Sequence, residues 1–114
     1  MTKDLELWVR PTRNNGERII RALQDFGTNS PIPAEAFERP ETMLVLGRAP
    51  FRVDLLTDLP GVTFDDAWAR RVTVRLDGHD LPLICRADLI QNKRTVGRPQ
   101  DIADALELEK LDAL

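Results

Sequence analysis

The segment "KDLELWV" constrains the fold more than any other part of the chain. Leu5, Leu7 and Val9 alternate with Asp4, Glu6 and Trp8, and a period of two marks a strand with one face on a core. The same alternation puts two carboxylates on the opposite face, roughly 6.5 to 7 Å apart at a rise of about 3.3 Å per residue. Such a strand carries either solvated charges on an open face or ligands for something that binds there.

"FRVDLL" repeats the theme, with Phe51, Val53 and Leu55 alternating with Arg52, Asp54 and Leu56. Where the two strands neighbour each other in register, Asp4, Glu6 and Asp54 converge. Three carboxylates together repel unless a cation compensates them, and hard oxygen ligands suit Mg²⁺. The plain alternative is a one-sided sheet with a polar outer face, Arg52 forming an ion pair with Asp54.

The rest of the chain is short-grained. "GERIIRALQDFG" places Ile19, Leu23 and Phe26 at helical spacing, with Asn14 or Asn15 as N-cap and Gly27 as stop. Pro31, Pro33 and Pro40 bracket "AEAFER", a turn or two of helix, and "TMLVLG" reads as a strand. Thr63, three residues before Asp66, opens a short amphipathic helix carrying Phe64 and Trp68. "RVTVRLDGHDLPLIC" is a hairpin around "DGHD", with Pro82 confining its second strand to an edge. From Arg86 onward the pattern is helical, interrupted at Gly97 and Pro99, with a last helix from Gln100 to Leu114. This inventory predicts an α/β (α+β) fold, a mixed β-sheet of about five strands flanked by helices, in one domain over residues 1–114.

Charge and cysteine content narrow the function classes. A net charge of −3 with interspersed Lys and Arg gives no basic field for nucleic acid or a membrane surface. Cys85 is the single cysteine, which excludes an intramolecular disulfide and suits a reducing compartment, so a cytoplasmic location is expected. No apolar run approaches the roughly 20 residues of a membrane span.

"TKDLELWV" resembles the metal-binding strand of the nucleotidyltransferase superfamily related to DNA polymerase β and the minimal nucleotidyltransferases. "FRVDLL" is similar to the strand bearing that superfamily's third carboxylate. "DFG", "AFERP", "FRVDLLTDLPGVTFDDAW" and "LIQNKRTVGRPQDIADAL" follow the segment order of a group of small bacterial nucleotidyltransferase-like proteins, so the resemblance covers nearly the whole chain. It implies Asp4, Glu6 and Asp54 as Mg²⁺ ligands, and transfer of a nucleoside monophosphate from a nucleoside triphosphate such as ATP to an acceptor hydroxyl. Asp54 is then the residue to activate the acceptor. "NKRTVGRPQD", with Lys93, Arg94, Arg98 and Asp101, resembles the Lys, Arg and Asp pattern of the abortive-infection toxin branch, where it belongs to the site; Lys93 and Arg98 would neutralise phosphate oxygens and Asp101 would orient one of them, Lys93 in a direct role. A solvated helix junction bent at Gly97 and Pro99 is the plain alternative for that segment.

One element of the family pattern is missing from this sequence. A Gly-Gly or Gly-Ser turn and its helix, whose N–H groups help bind triphosphate, lie upstream of the first carboxylate in the family, whereas Met1 stands three residues before Asp4. An N-terminally truncated version of the fold is therefore expected, with apolar surface exposed and self-association into a homo-oligomer. The competing expectation is a catalytically inactive relative that binds a protein partner, in a toxin–antitoxin or phage-defence setting. His79 reads as a turn residue and Cys85 as a small packing residue. Trp8 and Trp68 read as core or interface residues, Trp8 on the carboxylate face.

Overall fold

The computed structural model describes residues 3–111, and the chain divides into two compact units, Met1–Asp58 and Leu59–Leu114. The first holds β1 (Lys3–Trp8), α1 (Arg13–Phe26), a 3₁₀ turn (Ala34–Glu38), β2 (Met43–Arg48) and β3 (Phe51–Leu56). The second holds α2 (Phe64–Ala69), the hairpin β4 (Val72–Leu76) and β5 (His79–Leu83), α3 (Arg86–Val96) and α4 (Pro99–Leu111). The last residues of the expected final helix, 112–114, lie outside the described residues. No helix among the described residues is long and apolar enough to cross a membrane.

The first unit is built on a three-stranded mixed sheet in the order β1-β3-β2, with β1 parallel and β2 antiparallel to β3. Leu55 on β3 and Leu44 on β2 meet Leu23 of α1 and Phe37 of the 3₁₀ turn in a buried apolar cluster, with Val9, Ile19, Ile32, Leu46 and Val53 around it. The helix sits close because Gly16 has no side chain: a Cβ there would lie 2.4 Å from the Ala34 carbonyl oxygen. Thr12, and neither asparagine, caps this helix, its hydroxyl accepting from the Asn15 N–H at 3.2 Å. Asn15 instead turns its side-chain amide back to the Arg10 carbonyl at 3.1 Å, fixing the chain where it leaves β1. At the other end Gly27 adopts φ 97°, the left-handed cap that glycine tolerates.

Two expectations are corrected. The five strands do not form one sheet: among the described residues β4 and β5 pair only with each other. Their turn closes the pair, since Asp77 and Gly78 both take positive φ, the conformation of a tight two-residue hairpin. Both strands are exposed along their whole length, so alternation there reflects a solvated ribbon and not a place in a larger sheet. Phe26, expected on the packing stripe of α1, is 86% exposed. The helical stripe reaches it, but there it lines an open apolar groove with Leu5, Leu7 and Phe51 and stays exposed.

Candidate functional site

The carboxylate pattern lands on one face of the first unit's sheet. Parallel pairing of β1 with β3 sets Asp4 beside Arg52 and Glu6 beside Asp54, and partners in register project from the same face. Leu5, Leu7, Val53 and Leu55 turn the other way. β3 is the central strand, so Asp54 is 2% exposed while Asp4 and Glu6, on the edge strand, remain open to solvent. The face is completed by Val45, which lies opposite Asp54 on β2, and by Gly47 opposite Arg52.

Arg52 supplies the cationic charge at this face. Its Nη2 donates to Asp54 Oδ2 at 3.1 Å and lies 3.9 Å from Asp4 Oδ2. Its Nε stands 3.0 Å from Asp54 Oδ1, yet the angle makes no hydrogen bond, and both atoms are buried without one. A buried carboxylate with an unbonded oxygen is costly unless something satisfies it. By donor chemistry the three carboxylates suit a hard divalent cation. Among the described residues, however, no group of three or more His, Cys, Asp or Glu side chains is arranged to hold a metal. Arg52 takes up the negative charge that a cation would otherwise balance.

Trp8 borders this face, with its indole N–H donating to the Thr57 carbonyl at 3.3 Å. That bond spans from the end of β1 to the end of β3 and holds the ring in place.

The second set of candidates belongs to the second unit, at the junction of α3 and α4. Gly97 ends α3 in the left-handed conformation and Pro99 opens α4, the arrangement the Gly and Pro predict. Asp101, in the first turn of α4, is 2% exposed. It accepts from the Arg98 backbone N–H at 3.2 Å, from Arg98 Nε at 2.6 Å and from Arg98 Nη2 at 3.2 Å. Lys93 lies 3.7 Å from Asp101 and 3.4 Å from Asp104. The hydrogen bonds from Arg98 hold the Asp101 carboxyl below its ordinary range, against the opposing effect of burial. Two cations and two carboxylates thus neutralise one another, and Asp101 caps the helix junction by accepting from the Arg98 backbone N–H. Lys93, partly exposed, keeps a route to solvent.

The sequence held no signal for two further contacts. Asp104 completes the Lys93 cluster one turn beyond Asp101. Asp88 on α3 receives Arg70 from the end of α2 through three hydrogen bonds of 2.8 to 3.2 Å. Arg70's hydrogen bonds, joined by one from the Cys85 thiol, lower the Asp88 carboxyl while burial opposes them. Arg70 and Asp88 are 18 residues apart, beyond any local pattern. His79 stands exposed beside the hairpin turn, and Trp68 stacks on Phe64 with ring centroids 6.0 Å apart.

Comparison with family models, with curated proteins and with solved structures finds no match to this chain.

Proposed function

We propose that the chain is a nucleotidyltransferase-like domain that binds a nucleoside triphosphate together with Mg²⁺ at the carboxylate face of β1 and β3. One observation carries this reading: Glu6 lies in register beside Asp54, and Asp54 is buried on the central strand with one oxygen lacking a hydrogen bond. A buried carboxylate that lacks one hydrogen bond calls for an explanation, and an ion bound at this face would supply one. Asp4, Glu6 and Asp54 would hold the ion, which when bound supplies charge to triphosphate oxygens. Asp54 would accept the proton of an acceptor hydroxyl. The transfer would join a nucleoside monophosphate to that hydroxyl with pyrophosphate leaving.

The Arg52 ion pairs favour a second reading. If Arg52 permanently balances Asp54 and Asp4, the domain is a catalytically inactive relative that acts by binding a protein partner, of toxin–antitoxin or phage-defence type.

Calorimetric titration with Mg²⁺ and ATP, then with the other nucleoside triphosphates, separates the two. The first reading expects metal-dependent binding by the wild type that is lost in the Asp4→Asn, Asp54→Asn double variant. It also expects tighter metal binding in Arg52→Gln, because the guanidinium competes for the same oxygens. Absence of binding by both the folded wild type and folded Arg52→Gln would reject it in favour of the inactive relative.

A further inference from the structure

The described residues bury three aspartates, Asp54, Asp88 and Asp101, and each meets an arginine. Arg70 gives Asp88 three hydrogen bonds and Arg98 gives Asp101 three, so both pairs fasten helices together. Arg52 gives Asp54 one, from Nη2 to Oδ2. Its Nε and the Asp54 Oδ1 are 3.0 Å apart and buried, without a hydrogen bond between them. Its approach to Asp4, at 3.9 Å, is too long for one. A guanidinium carries five N–H donors, and Arg52 commits a single bond to its aspartate on a side chain that is 41% exposed. The first two pairs are closed locks, and the third is a loose one.

Strand register sets the surroundings of that guanidinium. Arg52 has Asp4 beside it on β1 and Gly47 beside it on β2, so no side chain stands next to it on the β2 side. The Glu6 and Asp54 carboxyls form the next row, and the row after that, with Leu56 and Met43, is apolar on β3 and β2. The face therefore grades from a cationic end to an apolar end along the strands. A nucleotide laid along it puts its phosphates at Arg52, because the apolar end offers them no donor. Lys93 and Arg98 are already engaged with Asp101 in the second unit.

We propose that Arg52 is the phosphate-binding residue of this face, exchanging Asp54 and Asp4 for polyphosphate oxygens when a divalent cation occupies those carboxylates. This rests on the reading of the face as a nucleotide site, and it adds which side chain takes the phosphates and how that contact depends on the cation. The guanidinium and a cation compete for the same carboxylate oxygens, so binding of one loosens the other. Once released, the planar fork of N–H donors matches phosphate oxygens two at a time. The loose Asp54 pair then has a physical reason: a tight bidentate lock, like that of Arg70 on Asp88, would hold the guanidinium in place.

The test is calorimetric titration of wild type, Arg52→Gln and Arg52→Lys with Mg²⁺ alone, and then with ATP or inorganic tripolyphosphate in saturating Mg²⁺. Arg52→Gln is expected to bind Mg²⁺ more tightly than the wild type and to bind ATP and tripolyphosphate roughly tenfold to a hundredfold more weakly, both by the same factor. Arg52→Lys keeps a cation without the fork and is expected to recover part of that loss. Opposite signs for metal and polyphosphate separate this role from a folding defect, which weakens both. ATP binding by Arg52→Gln as tight as by the wild type, or tighter, overturns the proposal and leaves the nucleotide site standing. A loss confined to ATP, with tripolyphosphate unaffected, or a weakening of metal and polyphosphate together, overturns it in the same way. Absence of binding by wild type and Arg52→Gln alike removes the site and the proposal with it.

Discussion

The two units bury different things. In the first, the buried residues are mainly apolar, with Phe37 fully enclosed and Leu23, Leu44 and Leu55 around it. In the second, the buried apolar residues are Ala67, Ile90 and Ala105, and they share the interior with Asp88, Asn92 and Asp101. Apolar burial is insensitive to pH and carries most of the free energy in a small core. A network of carboxylates and an amide stabilises through directed bonds, each contributing less and each open to protonation or loss of its partner. The contrast predicts two units that fail under different conditions.

The strongest way to break it is Phe37→Ala. Truncating a fully buried aromatic should destabilise the first unit by about 3–5 kcal/mol, read as a lower denaturant midpoint from Trp8 fluorescence in a Trp68→Phe background. A loss under 1 kcal/mol would mean that the cluster is not the core of that unit. In the second unit, Asn92 donates to the Pro60 carbonyl at 3.0 Å. Asn92→Ala is expected to cost about 1–2 kcal/mol, read from Trp68 in a Trp8→Phe background; an unchanged midpoint would remove the polar interior as a source of stability.

The smallest effect near neutral pH is the most selective. Asp88 and Asp101 both have folded-state values lowered by arginine hydrogen bonds. Their contribution is therefore complete above the unfolded-state value of about 3.9 and is lost as pH falls through the lower folded-state values. On acidification the Trp68 signal should change at a higher pH than the Trp8 signal, and Arg70→Gln should flatten the acid dependence of the former. Coincident acid transitions for the two tryptophans would sink the comparison.

How much of this was legible depended on the range of the contact. Thr63 does meet Asp66, hydroxyl to carboxylate at 2.8 Å, as their spacing suggested. Gly27, Gly97 and Pro99 mark helix ends as their backbone preferences require. Arg52 and Asp54, two apart on one strand, were legible as an ion pair. The Thr12 cap was missed because two asparagines nearer the apolar stripe offered the same chemistry, and only the course of the chain out of β1 chose between them. Arg70 with Asp88 and Lys93 with Asp104 join separate elements, where periodicity carries no information.

Alternation by itself determined that Asp4 and Glu6 share one side of their strand, and that Arg52 and Asp54 share one side of theirs, because side-chain direction along a strand follows from backbone geometry. Only the tertiary structure decided that β1 and β3 lie side by side in parallel with Glu6 against Asp54, that β3 is central and β1 an edge, and that the hairpin stands apart as its own sheet. Strand order and register depend on which apolar faces find each other across long stretches of chain, and no local pattern encodes that choice. The same rule leaves Leu5 and Leu7 uncovered: the sequence marks them as core-facing, and the fold places them at an edge.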